Sequence, residues 1–397
     1  MVILVVVVIA VVFGATVYVR YHQTSIGQPV ATKTAAKGPA AFNKHQYSLT
    51  NPASIWVIVN KQHPLNPINY APTDLVVPNI PLRVPGNETM QVHIERTDYK
   101  GWSNCWRIAN CDIELIVTAD VGPRVIRYGF NGGQNLFKNF DDQMGNSGEP
   151  LFMARGGSRI WIGPEDRKAS YAPDNFPVQV TRNDDTLTAT APIEDLVGVQ
   201  KQMSIRLAQN GTGVEICHRI RNAGLLPTEF AAWILTAMAP GGLAITGFPP
   251  RGTHPENLAP SNPLVMWAFT DLSDPRWRLQ KKYLLLRQDS ALPTPQKLGH
   301  FNPRTWGAYL LNGQMFLKTY KADPASVYPD LGCSFETFAN GDVLELETLG
   351  PLTRVPPGEW IEHTEHWSLH RNVALSEFSD EELDRVVAPL VEAEFHT

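Results

Sequence analysis

Beyond about Gly101 the chain is written in short apolar runs that alternate with polar positions at period two. Examples are Ile113 to Thr118, Arg124 to Tyr128, Leu187 to Ala191, Val214 to Arg219 and Val343 to Thr348. Turn residues such as Asn131-Gly132-Gly133 and Asn340-Gly341-Asp342 bound them, so the pattern predicts antiparallel strands, and many strands predict a sandwich. One helix closes the chain. Ser379-Asp380-Glu381-Glu382 reads as a capping box with acids at the positive helix end, leading into Leu383, Val386, Val387 and Leu390, and Pro389 should kink it or end it early.

The first residues follow a different pattern. Val2 to Val19 is an uncharged apolar run broken only by Gly14 and Thr16, and about 18–20 such residues span a bilayer core as a helix. It reads as a transmembrane anchor over 1–20; a cleaved signal peptide would carry a basic start, which is missing. Residues 21–51, rich in Thr, Ala, Gly, Lys, Gln and Pro, read as a flexible linker. Residues 52–92 carry Pro52, Pro64, Pro67, Pro72, Pro78, Pro81 and Pro85, a spacing that forbids a regular helix and suits an extended strap. The β-domain with its C-terminal helix is expected over 95–397.

Length and composition narrow the function classes. A chain of 397 residues with 43% hydrophobic content can bury a substantial core. Its net charge of -5, with both signs dispersed, gives no basic stripe, so no nucleic-acid partner is expected. Cys105, Cys111, Cys217 and Cys333 show no metal-binding spacing; Cys105 and Cys111 are either a small disulfide loop in an exported domain or buried thiols. Arg20, Lys33 and Lys37 after the apolar run favour a cytoplasmic C-terminal side.

Two resemblances bear on function. Ser54 to Lys61, His63-Pro64, Pro67 and Tyr70 through Pro78 resemble the lead-in of zinc D-alanyl-D-alanine carboxypeptidases. That resemblance implies an extracytoplasmic chain at the cell envelope, and export is the expectation adopted. It stops before any catalytic position: there is no Ser-x-His-x-x-Gly, and Glu359 to His363 and Glu362 to His366 are each one residue too long for the family's Glu-x-x-His. Neither a metal site nor a cofactor is expected.

The second resemblance is longer. Gly122-Pro123-Arg124, Arg155-Gly156-Gly157-Ser158-Arg159-Ile160-Trp161-Ile162-Gly163-Pro164-Glu165, Tyr171 to Pro177, Ala232-Trp233, Lys297-Leu298-Gly299, Tyr328-Pro329-Asp330, Gly332 to Thr337, Leu344 to Pro351 and His363 to Leu369 resemble, in order, uncharacterised members of the galactose-mutarotase-like superfamily. The resemblance implies a mainly β fold, an antiparallel β-supersandwich, and a sugar or glycan ligand. Opening an aldose ring needs a base for the anomeric hydroxyl and an acid for the ring oxygen. In Ser334-Phe335-Glu336-Thr337 the resemblance makes Glu336 the base. The family's two histidines correspond to Trp233 and Arg155, neither of which cycles a proton near neutral pH.

The remaining candidates follow from residue chemistry. Glu165 is a second carboxylate for acid/base work with Glu336, and Arg124 and Arg159 can grip hydroxyl or acid groups. Trp161, Trp233 and Trp306 can stack on a sugar's apolar face, although each alone fits a core position as well. His254, His300 and His363 are displaced candidate acids; His254 also fits a surface loop, and alternation places His363 and Glu365 at a core edge. The expectation is a membrane-tethered carbohydrate-binding or carbohydrate-modifying protein, with an aldose-1-epimerase-like isomerase as the enzymatic form. The alternatives are a non-catalytic glycan-recognition module and a carboxypeptidase relative without its zinc site.

Overall fold

The computed structural model describes residues 92–395 in full and residues 7–12 and 15–20 in backbone outline. The linker at 21–51 and all but Val92 of the strap at 52–92 lie outside the described residues. The chain divides into two units, Met1–Leu82 and Arg83–Thr397.

In the first unit the structure departs from the helical span. Val7–Val12 and Ala15–Arg20 are strands that pair antiparallel, with Val7 opposite Arg20 and Val12 opposite Ala15. β-Branched residues crowd a helical backbone and suit an extended one, and this run is mostly valine. Among the described residues, no helix is long and apolar enough to cross a membrane.

The second unit is mainly β, as the period-two pattern predicts. An eleven-stranded sheet runs in the order Leu264–Met266, Gln296–His300, Phe335–Ala339, Leu344–Leu349, Thr228–Met238, Gly157–Gly163, Arg124–Phe130, Ile113–Thr118, Trp102–Ala109 and His93–Tyr99, with Thr353–Val355 joined to the start of Thr228–Met238. A ten-stranded sheet runs from Trp277–Leu279 through Leu243–Gly247, Trp306–Leu311, Gln314–Tyr320 and Trp360–Arg371 to Gln179–Asn183. All pairings are antiparallel. Val199–Leu207 and Val214–Asn222 alternate strictly between buried positions and half-buried or exposed ones, because one face meets the core and the other meets water. Gly157–Gly163 is buried at every position and Thr228–Met238 at all but its first two. Both faces of the eleven-stranded sheet are therefore covered at its centre.

The core between the sheets gathers Tyr128, Phe137, Phe316, Phe335, Leu346 and Trp367. A charged network crosses it. Lys318 Nζ lies 2.7 Å from Glu365 Oε1 and donates to Thr236 Oγ1, Trp367 Nε1 donates to Glu365 Oε2, and the Thr348 hydroxyl links Glu365 to His363. His363 and Glu365 thus lie deep inside, at 5% and 0% exposure, and not at the core edge that alternation suggests. The outer face of the ten-stranded sheet is covered by helices Asp380–Val386 and Ala388–Glu394 through Leu383, Val387 and Val391. Ser379 caps the first helix by accepting from the Glu382 N–H, and the break before Ala388 puts Pro389 in the first turn of the second. Glu382 does not complete the reciprocal box; its carboxylate takes Ser376 and Arg385 instead. All four cysteines are free, Cys105 and Cys333 buried and Cys111 exposed, so the disulfide alternative is not realised.

Candidate functional site

Strand register assembles one row of side chains on the outer face of the eleven-stranded sheet. Arg124 stands opposite Arg159, Arg159 opposite Leu235, Leu235 opposite Glu347, Glu347 opposite Glu336, and Glu336 opposite Gly299. Directly paired residues share a face, so six strands place these groups side by side. Two residues along, Trp161 pairs with Trp233 on the same face, and Lys297 lies two residues from Gly299. Five of the sequence candidates, Arg124, Arg159, Trp161, Trp233 and Glu336, are brought onto this face.

Glu336 is the centre of a buried charge cluster. Lys297 Nζ lies 2.8 Å from Glu336 Oε2 and 2.8 Å from Glu347 Oε2, and Trp233 Nε1 donates to Glu347 Oε2 at 2.9 Å. The Lys297 ammonium is also held between the rings of Trp233 and Trp267, 4.7 Å and 4.6 Å from their centroids. Burial pushes Glu336 well above the usual carboxylate range against the pull of Lys297, with Glu347 and Asp330 adding to the rise. Burial likewise raises Glu347. Burial opposes charge on Lys297, but Glu336 and Glu347 together outweigh it and hold the ammonium above its ordinary range.

Asp330 completes the cluster from an unusual backbone. Asp330 (φ 50°, ψ 52°) and Leu331 (φ 61°, ψ 25°) are both left-handed, between Pro329 and Gly332, and this turn brings the Asp330 carboxyl beside Glu336. Burial raises Asp330 above the usual carboxylate range. Neither Glu336 oxygen receives a protein N–H or O–H donor of well-formed geometry. Cys333 sits beside them, its thiol donating to Asp330 O at 3.1 Å; burial, then Glu336 and Asp330, drive its pKa up. Gly299 leaves room for this crowd: a Cβ there would stand 2.6 Å from Cys333 Sγ and 3.0 Å from Glu336 Cγ.

An aromatic wall borders the cluster. Trp161 meets Trp233 edge-on at 5.3 Å, and Tyr171 and Phe152 pack on Trp161 at 4.8 Å and 5.2 Å. Tyr171 is 40% exposed, and its hydroxyl donates to Glu165 Oε1 at 2.6 Å. Arg159 lies over Trp161 at 4.8 Å and pairs with Glu345 at 3.1 Å. Clefts are open beside Phe176 and Leu196 and beside Trp306, whereas Glu336 itself is 0% exposed.

Other candidates fall differently. Glu165 is exposed, at the rim with Tyr171, and is not paired with Glu336. Arg124 is in the row, but its guanidinium is held by Ala154 O, Gly156 O and Asp174, leaving it a structural tie. Trp306 belongs to the other sheet and packs toward the helices with Tyr283 and Leu383, because a period-two pattern does not say which sheet a strand joins. His254 is exposed, His363 is in the inter-sheet core, and His300 pairs with Phe335, one residue off the Glu336 face. Arg155 is buried on Gln143 O, Glu149 and Asn175. Lys297, Glu347, Asp330 and Trp267 were not singled out from sequence; the first three lie within the motif stretches Lys297 to Gly299, Leu344 to Pro351 and Tyr328 to Asp330, and that position was the available signal.

No family model matches this chain, and no curated protein matches it. Among solved structures, it is similar to a galactose mutarotase-like protein from Lactobacillus casei at 11% identity and a TM-score of 0.46, covering 67% of this chain and 100% of that one. A galactose mutarotase-like protein from Clostridium acetobutylicum follows at 10% identity and 0.43, covering 71% and 99%. A galactose mutarotase related enzyme from Lactobacillus acidophilus stands at 8% and 0.44, covering 68% and 98%. Identities this low assign no chemistry to the chain.

Proposed function

We propose that the outer face around Glu336 is a carbohydrate site and that the protein is a carbohydrate-binding or carbohydrate-modifying protein of galactose-mutarotase-like kind. The observation that carries this reading is the Glu336 row: the residue that the motif makes the base lies among Lys297, Glu347 and Asp330 and next to a wall of Trp161, Trp233 and Tyr171. In ring opening, one group removes the proton from the anomeric hydroxyl while another protonates the ring oxygen, so that the C1–O5 bond breaks as the carbonyl forms; closure on the opposite face reverses these transfers. Here Trp233 and Arg155 occupy the places of the family's histidines, and the Asp330–Glu336 pair is the proton-exchanging couple the site contains. Because Glu336 is closed over, a sugar reaches it only after the Asp330 turn or Trp267 moves aside.

That closure favours a second reading, a glycan-recognition module whose contacts are Tyr171 and Glu165 at the rim. A glycan array with the full chain, followed by anomer exchange of each hit by NMR, separates the two. Glu336→Gln is expected to lower exchange by about 10²–10⁴-fold with little change in affinity, whereas an intact rate removes Glu336 from catalysis and an array without hits removes the carbohydrate site. Placement at the cell envelope is proposed on the apolar run at 2–19 and the carboxypeptidase-like stretch alone, and sedimentation of the full chain with membranes tests it.

A further inference from the structure

Trp306, expected from sequence to stack on a ligand, does line an opening, but one on the other sheet. A cleft of about 350 Å³ lies between the end of Leu243–Gly247, the segment after it and the C-terminal helices. At its base Trp306 is 2% exposed, and its indole N–H is buried without a hydrogen-bond partner. Gly247 lies against that edge: a Cβ there would stand 3.2 Å from Trp306 Nε1, so any side chain at this position would crowd the N–H. A buried donor without an acceptor is costly, and an indole N–H can only donate.

The rim carries the opposite need. Arg251, Lys281, Lys282 and Arg304 face the cleft against two carboxylates, Asp384 and Glu392. Asp384 is already engaged, with the Lys282 ammonium and the Tyr283 hydroxyl at 2.8 Å. Arg251 is steered to its place: it lies over the Phe248 ring at 5.2 Å and donates Nε to Lys281 O at 3.1 Å. The cleft therefore offers a donor at its base, an aromatic and proline wall at Phe248, Pro249 and Pro250, and surplus positive charge at its mouth.

We propose that this cleft binds a monosaccharide bearing a carboxylate or phosphate: the anion meets Arg251 and Arg304, a ring or hydroxyl oxygen accepts from Trp306, and the sugar's apolar face lies on Pro249 and Pro250. The size fits, since small-molecule sites run from about 300 Å³ upward. The site is separate from Glu336 and does not depend on the reading given to it.

The test follows the Trp306 indole N–H by ¹⁵N NMR in the full chain, assigned with Trp306→Phe, during titration with glucuronate, glucose 6-phosphate, glucose and inorganic phosphate. Glucuronate or glucose 6-phosphate is expected to shift this signal, with at least tenfold weaker binding in Arg304→Glu, and the tighter of the two identifies the anion. Gly247→Ala, which keeps every charge but crowds the indole edge, is expected to suppress the shift as well. Absence of a shift with both acidic sugars, equal affinity in Arg304→Glu, or inorganic phosphate or neutral glucose binding as tightly as the acidic sugars would overturn the proposal.

Discussion

His300 and His363 sit where an imidazolium has no water to reach. Burial lowers both to about 4, from 6.5 in an unstructured chain, and for His363 the nearby Glu365 only partly offsets it against His218 and Lys318. Below pH 6.5 the unfolded chain takes up protons that the folded chain refuses, so stability from these groups falls as pH drops from about 6.5 toward 4. Each imidazole contributes about 1.4 kcal/mol per pH unit within that window. Glu336, Glu347 and Asp330 act in the opposite direction: their raised folded values add stability at low pH that is lost as pH rises through them. The stability gap between wild type and His363→Gln, from urea unfolding at pH 7, 6 and 5, should therefore narrow by about 1.4 kcal/mol per unit below pH 6.5. A gap independent of pH would mean that His363 takes up protons as readily in the fold as in the unfolded chain.

At the scale of elements, the strands were legible wherever apolar and polar residue types alternate along the chain. The alternation at 214–219 and 343–348 locates Val214–Asn222 and Leu344–Leu349 to within a few residues. Gly157–Gly163 and Thr228–Met238 have nearly every position buried, so no alternation marks them, and Trp161 and Trp233 came to notice as residue types instead. Lys297 and Glu347 escaped for the converse reason: a charged residue alternating along a strand reads as facing solvent, and only the register reveals that this outer face is closed. Two substitutions test the elements. Gly299→Ala should cost about 1–3 kcal/mol by overpacking against Cys333 and Glu336, measured by thermal unfolding, and a stability within error of wild type would show that the site has slack. Ser379→Ala should cost about 1 kcal/mol through the lost cap of Asp380–Val386, and helix signal unchanged on heating would deny that the cap matters.

For the whole molecule, the division at Leu82 and Arg83 predicts that residues 83–397 fold without what precedes them. A chain starting at Arg83 should melt cooperatively near the full chain's temperature, and a broad transition would show that the earlier residues complete its core. The buried Cys333 turns the closed site into a clock. Its thiol is buried against Asp330 and Glu336, so alkylation reports how often the site opens, much as amide exchange reports local unfolding. Exposed Cys111 supplies the reference rate within the same molecule. If ligands enter by that motion, a sugar bound against Glu336 must slow Cys333 labelling, detected by peptide mass spectrometry, and leave Cys111 untouched; a ligand held only at the Tyr171 rim slows neither.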